Sequence, residues 1–152
     1  MFRLSKRLAY GLQLLLALAR ESENQPLATA LLAERLDIPL PFLHQIGHVL
    51  MQAGLIKALP GPKGGIKLSR SPEMITILNV VEALEGAINL IPELDSKFKM
   101  NTVTKAHPTQ IWEDLQLRIE SYLSSISLVD VLETGSVSIK IDFENELVCP
   151  ER

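Results

Sequence analysis

Hydrophobic and polar positions alternate along this chain with a period that changes several times, and each change marks an element. Leu4, Leu8, Leu12, Leu15 and Ala19 recur at intervals of three or four, the signature of a helix with one apolar face. A polar stretch from Glu21 to Gln25, closed by Pro26, reads as a loop. Ala28 to Leu36 then reads as a short second helix with Leu31, Leu32 and Leu36 inward, and Ala33 small enough to admit a neighbour. Asp37-Ile38-Pro39-Leu40-Pro41 is a turn, because each proline pushes its predecessor out of helical geometry while Pro41 itself suits a first helical turn.

A third helix follows to Ala53, with Leu43, Ile46, Val49 and Leu50 as its buried side and Gly54 as a left-handed stop. Two short helices joined by a tight turn form a helix-turn-helix. Leu55–Leu59 and Ile66–Leu68 read as brief strands around the glycine-rich tip Pro60-Gly61-Pro62-Lys63-Gly64-Gly65, a basic hairpin or wing. The tip shares its composition with nucleotide-binding loops, but it lacks their Gly-Lys-Ser/Thr ending and leads into a strand rather than a helix. Thr76 is placed to cap a fourth helix carrying Ile77, Val80, Val81 and Leu84, ended by Gly86.

From Ala87 to Pro108 the periodicity fades and Pro92, Asn101 and Pro108 interrupt it, as in a linker or an irregular sensory loop. Trp112, Leu115, Ile119, Tyr122 and Ile126 restore it at spacings of three and four, which suits a long helix packing along a partner helix, and an ordinary core helix as well. In the tail, Val137, Ile139, Ile141 and Phe143 alternate with Ser138, Lys140 and Asp142, predicting one half-buried strand. The expected fold is mostly α: a winged helix-turn-helix domain over 1–86 with a small β-hairpin wing, a linker or sensory loop over 87–108, a long dimerisation helix over 109–133 and a tail over 134–152.

Composition sharpens this picture. Aromatic residues are 5% of the 152, while the hydrophobic fraction is 47%, a balance that favours helix packed on helix. Cys149 is the single cysteine, so no internal disulfide is available and a reducing, cytoplasmic setting is the expectation. Arg3, Lys6 and Arg7 before an apolar run ending in Ala17-Leu18-Ala19 imitate a secretory signal, but Tyr10, Gly11 and Gln13 interrupt the run. That run also falls short of the roughly 20 residues needed to span a bilayer, and no membrane partner is expected.

The formal net charge is −3, but it is unevenly distributed. Up to Arg70 there are nine basic residues against four acidic ones, and after it six against fourteen. A basic first half is what a polyanion-binding surface needs. No serine, histidine and acid stand in a local catalytic signature, and no enzyme activity is expected. The acidic Glu144, Glu146 and Glu151 around Cys149 would raise its pKa, the opposite of what a reactive thiol needs.

Several strings, in order, resemble the Rrf2 family of bacterial regulators, which includes an iron-sulfur cluster regulator, a cysteine-metabolism repressor and a nitric-oxide sensor. They are Arg3-Leu4-Ser5 with Tyr10, Leu32-Ala33-Glu34-Arg35 with Ile38, Phe42-Leu43-His44-Gln45-Ile46, Ala53-Gly54-Leu55-Ile56, Gly61-Pro62-Lys63-Gly64-Gly65, Val81-Glu82-Ala83-Leu84-Glu85-Gly86 and Ile126-Ser127-Leu128. The resemblance implies a homodimeric transcriptional regulator, a repressor in the first instance, that binds a palindromic site in double-stranded DNA. Three departures stand out. Ala87 to Pro108 contains none of the cysteines that cluster-bearing members place there, so no cofactor is expected. His107 lies five residues before Trp112, where the family's histidine lies three before, at Thr109. Pro60 replaces the basic residue that commonly precedes the wing's Gly-Pro, with Lys63 restoring a charge nearby.

In such a fold the first turn of the third helix enters the major groove, bringing Pro41, Phe42, His44 and Gln45 to base edges. Gln45 has the bidentate geometry for adenine, and His44 can donate to guanine. Gly61, Lys63, Gly64 and Gly65 would bring the wing backbone near phosphates, and Arg3, Ser5, Lys6, Tyr10, Lys67 and Arg70 would hold the register. His48 faces solvent or a neighbouring helix in this reading. Trp112, Leu115, Ile119, Tyr122 and Ile126 would form the dimer interface. An unknown small-molecule effector or protein partner is compatible with the linker. The competing reading is a winged-helix protein-interaction module that has lost DNA binding, for which Pro60 and the modest basic surplus speak.

Overall fold

A computed structural model describes residues 5–21, 25–90 and 109–134. Among the described residues six helices and one hairpin occur in the order α1 (Lys6–Arg20), α2 (Thr29–Leu36), α3 (Leu40–Gln52), β1 (Ile56–Leu59), β2 (Gly65–Leu68), a 3-10 turn (Pro72–Met74), α4 (Ile77–Glu85), α5 (Gln110–Ser124) and α6 (Leu128–Thr134). The expected mostly helical, winged-helix architecture is what the chain adopts. The expected strand over 137–143, together with Arg3, His107 and Cys149, lies outside the described residues.

Local chemistry places each helix. Ser5 caps α1 by accepting the Leu8 N–H at 3.1 Å. Pro41 occupies the first turn of α3, where its missing N–H costs nothing. Gly54, at φ 71°, closes α3, with the Leu55 N–H returning to the Leu50 carbonyl at 3.0 Å. Thr76 and Asn79 form a reciprocal capping box at the start of α4, with hydrogen bonds of 3.2 and 3.1 Å.

The core lies between α1, α3 and α4 and is closed by α2, the hairpin and α6. Leu14, Leu15, Leu32, Leu43, Leu50, Ile75, Val80 and Leu128 are fully or almost fully buried in it. The apolar stripe of α1 is rotated from the expected one: Leu8, Gly11, Leu14, Leu15 and Leu18 face inward, whereas Leu12 and Ala19 are half-buried. The cause is Gly11, where a Cβ would stand 2.3 Å from Leu84 Cδ1, so α4 crosses α1 at the residue without a side chain. Leu31 on α2 was expected inside and is exposed; Leu32 and Ala33 are the buried pair. On α3, Gly47 is buried and Val49 only half so.

β1 and β2 pair antiparallel, with Ile56 opposite Leu68, Lys57 opposite Lys67, Ala58 opposite Ile66 and Leu59 opposite Gly65. Beyond the expected hairpin, Leu27 adds a third rung, exchanging both backbone hydrogen bonds with Ile66 at 2.9 Å each. The loop before α2 therefore anchors the root of the wing.

The single helix expected over 109–133 is instead two, α5 and α6. Serines explain the break. Ser124 and Ser125 hydroxyls donate to the carbonyls of Ser121 and Tyr122, at 2.9 and 2.7 Å, and close α5. Ser127 starts α6: its hydroxyl accepts the Asp130 N–H at 3.2 Å, while the Asp130 carboxylate accepts the Ser127 N–H at 2.7 Å and hydroxyl at 2.8 Å. The Ser127 backbone N–H, then its hydroxyl, hold the Asp130 carboxyl below its ordinary value. Between the helices the chain pairs with the entrance to α4, the Ile77 N–H donating to the Ile126 carbonyl at 2.8 Å and the Leu128 N–H to the Ile75 carbonyl at 3.0 Å.

Candidate nucleic-acid interface

With Leu43, Ile46, Gly47 and Leu50 turned into the core, helical periodicity leaves Pro41, His44, Gln45 and His48 exposed on α3. His48 thus continues the face that Pro41, His44 and Gln45 begin, one turn further on. The signal was present in the i, i+4 spacing from His44. Phe42 is half-buried and meets Tyr10 of α1 edge to face, at a centroid distance of 5.6 Å and an interplanar angle of 82°. These two rings fix the first turn of α3 against α1, so both expected contacts have a positioning job inside the fold.

Ser5 is likewise committed. Besides capping α1, its hydroxyl donates to Glu85 Oε1 at the end of α4. Lys6, next in sequence, is exposed at the same end of α1. Arg70 is elsewhere: with Leu18, Ala19, Glu21 and Leu68 it lines a depression at the opposite end of that helix, about 22 Å away for 15 residues at 1.5 Å each. The structure therefore does not bring Arg70 together with Ser5 and Lys6.

At the wing, the Gly64 N–H donates to the Gly61 carbonyl at 2.9 Å, and a Cβ on Gly64 would stand 2.1 Å from the Leu59 carbonyl oxygen. The tip is thus a tight turn that only glycine fits, with Gly61 at φ 104° and Lys63 exposed at its apex. Gly65 has a different reason to be glycine. Its Cβ would lie 2.1 Å from the carbonyl oxygen of Leu27, so it serves the anchoring rung at the wing root.

The register sets Lys57 directly across from Lys67. Lys57 was not among the expected contacts, although its alternation with Ile56 and Ala58 places it on the outward face. Like charges on directly opposed strand positions are unfavourable in the free protein. Among the described residues neither lysine has an ion-pair partner, nor do Lys6 and Lys63. A hairpin that carries Lys57, Lys63 and Lys67 without neutralising acids is arranged for an anion supplied from outside.

The α5 residues divide. Ile111, Leu115 and Tyr122 form an outward stripe with Trp112 at its border, Trp112 being 44% exposed and Ile111 66%. Ile119 is half-buried against the protomer's own core. Ile126 lies beyond α5 and is buried, at 6% exposure, so in the protomer it belongs to the clasp with α4 rather than to the outward face. Gln116 ties the helix to the chain that leaves α4, accepting the Leu90 N–H at 3.1 Å.

Among the described residues no three His, Cys, Asp or Glu side chains gather where they could hold a metal ion. A cysteine-held cluster draws on several thiolates, and the sequence has one cysteine. The residues present do not fit that group. No helix of the described residues is long and apolar enough to cross a membrane.

Comparison with known proteins gives the chain its family and supports its fold. Residues 4–134 match the Rrf2 family, described as iron-dependent transcriptional regulators. The HTH-type transcriptional regulator IscR of Cereibacter sphaeroides is 32% identical over 120 residues, which cover 78% of this chain and 77% of that protein. The structure of T. potens IscR superposes with a TM-score of 0.69 at 32% identity, covering 89% of each chain. CymR, the global cysteine regulator of B. subtilis, shares the fold at 24% identity, with a TM-score of 0.69 over 88% of this chain and 98% of its own.

Proposed function

The chain belongs to the Rrf2 family of DNA-binding transcriptional regulators, and from that premise we propose that it is a homodimeric repressor that reads a palindromic operator without a cysteine-held iron-sulfur cluster. The observation that carries the reading is the unneutralised lysine set of the wing, Lys57 opposite Lys67 with Lys63 at the tip, beside the exposed face of α3. Pro41, His44, Gln45 and His48 enter the major groove, and Gln45 supplies the bidentate contact. Phe42 and Tyr10 set the angle of that helix. Gly61, Lys63 and Gly64 approach phosphate from the wing, Lys6 and Lys67 add to the register, and Ser5 keeps the end of α1 in place. Arg70 contributes from the far side of α1 only where the DNA path reaches it.

Two copies meet through the outward face of α5, with Leu115 and Tyr122 at the centre, Trp112 at the border and Ile119 at the inner margin. A two-fold axis between them gives the operator its symmetry.

The test is selection of random duplex DNA by the purified protein, followed by binding of the enriched sequence across a salt series. A two-fold symmetric motif with a steep salt dependence is expected. Gln45→Ala should cost about 1–3 kcal/mol on that motif, and Lys63→Ala should lower the salt slope by about 1. Absence of enrichment at low salt, from a folded dimer, would favour a protein-interaction module.

A further inference from the structure

We propose that the cleft where α1, α2 and α6 meet is a binding site for a small amphipathic carboxylate, an organic acid with a short apolar tail. The cleft has a volume of about 480 Å³, within the range of roughly 300–1,000 Å³ common to small-molecule sites. Its wall is apolar: Leu16 from α1, Leu36 from α2 and Val131 and Leu132 from α6 all line it and are all left half-buried. Each presents hydrocarbon that the protomer's own core does not cover, and a tail of a few methylenes would cover it.

The rim supplies the opposite chemistry. Arg20 and Arg35 both border the cleft, with Glu21 between the helices they stand on. Arg35 Nη1 lies 3.6 Å from Glu21 Oε1, longer than the roughly 2.7–2.9 Å of a charge-assisted hydrogen bond. Arg20 has no ion-pair partner among the described residues. Glu21 thus holds Arg35 loosely and leaves Arg20 unpaired among the described residues, and an incoming carboxylate can take the vacant bidentate position. A cation would meet two like charges, and an anion without a tail would leave the wall uncovered.

The place of the cleft gives binding a consequence. α1 and α2 belong to the DNA-reading head, while α6 is the return of the arm that begins with α5. An occupant joins the two and shifts operator affinity by its differential affinity for the arm positions. That consequence, unlike the site itself, rests on the regulator reading.

The experiment is methyl NMR of the full chain labelled at Leu and Val, titrated with hexanoate and, in separate samples, with hexylammonium and inorganic phosphate. Hexanoate should move the methyls of Leu16, Leu36, Val131 and Leu132, and the other two probes should not. Arg20→Gln and Arg35→Gln should each weaken hexanoate about tenfold. Glu21→Gln, which removes the competing carboxylate, should tighten it about twofold to fivefold, a gain that a purely structural role for Glu21 would not produce. The proposal is overturned by unmoved cleft methyls, by equal response to hexylammonium or phosphate, or by cleft shifts that follow protein concentration alone, which would assign the cleft to a second copy. Because no DNA is present, failure here leaves the operator reading intact, and failed operator selection leaves this site intact.

Discussion

Two helices of this protein have the same length, 15 residues, and opposite fates. α1 sends Leu8, Gly11, Leu14, Leu15 and Leu18 into the core, whereas α5 has no fully buried residue and only half-buries Ile119 and Leu123 against it. Both show apolar residues at helical spacing, so period alone does not separate them. What separates them is the company each keeps. α1 is met by α2, α3, α4, α6 and the hairpin, and α5 within the protomer mainly by α4. A helix wholly satisfied inside its own chain maintains a fold, and one left with an apolar stripe outside is the surface on which the proposed self-association rests.

The sharpest test of that contrast is Leu14→Ala in α1. Leu14 is completely buried, and truncating such a leucine costs about 2–5 kcal/mol, so denaturant unfolding should move to a markedly lower midpoint. Next is Trp112→Ala in α5. It should leave far-UV circular dichroism unchanged and weaken self-association by about 30-fold or more, the loss of a contact worth about 2 kcal/mol, read by sedimentation over a dilution series. A Trp112 variant that unfolds as Leu14→Ala does would erase the distinction between the two helices.

Smaller effects map the border between head and arm. Thr76→Ala removes the cap of α4 but keeps the backbone pairing of this region with 126–128, so it should cost about 1 kcal/mol in thermal unfolding without changing self-association. The smallest effect is at Asp130. Its carboxyl titrates below the ordinary value when folded, so its contribution to α6 is present above the unfolded value and disappears as pH falls through the folded one. The protection of the Ser127 and Asp130 amides, measured against their intrinsic exchange rates at each pH, should fall in that acidic window, and Asp130→Asn should remove that fall.

The head was legible because its signals are local. Thr76, Gly86, Gly54 and the two prolines around Leu40 mark ends that the structure keeps almost to the residue. The orientation of α1 was not legible in the same way, since the choice between Leu12 and Leu14 as inward positions is made by α4 crossing at Gly11. Nor was the rung between Leu27 and Ile66, which uses backbone atoms and leaves no side-chain pattern. The break at Ser125–Ser127 was readable in principle from the serines and Asp130, but the heptad spacing through Ile126 overrode it. At the candidate interface the exposed positions of α3 follow from period, whereas the pairing of Lys57 with Lys67 required the register. The sequence reading grouped Arg70 with Ser5 and Lys6, and only the fold showed it at the other end of α1.

The clasp between 75–77 and 126–128 has a consequence for substitution. Its two hydrogen bonds, from the N–H of Ile77 and of Leu128, run between backbone atoms, so the joint between the start of α4 and the start of α6 is set by the path of the chain and not by a set of side chains. Proline at 77 or 128 would delete a donor outright, but other replacements leave both donors in place. Side chains on the exposed face of α3 or along the cleft beside α6 can therefore be exchanged without touching either donor of this joint.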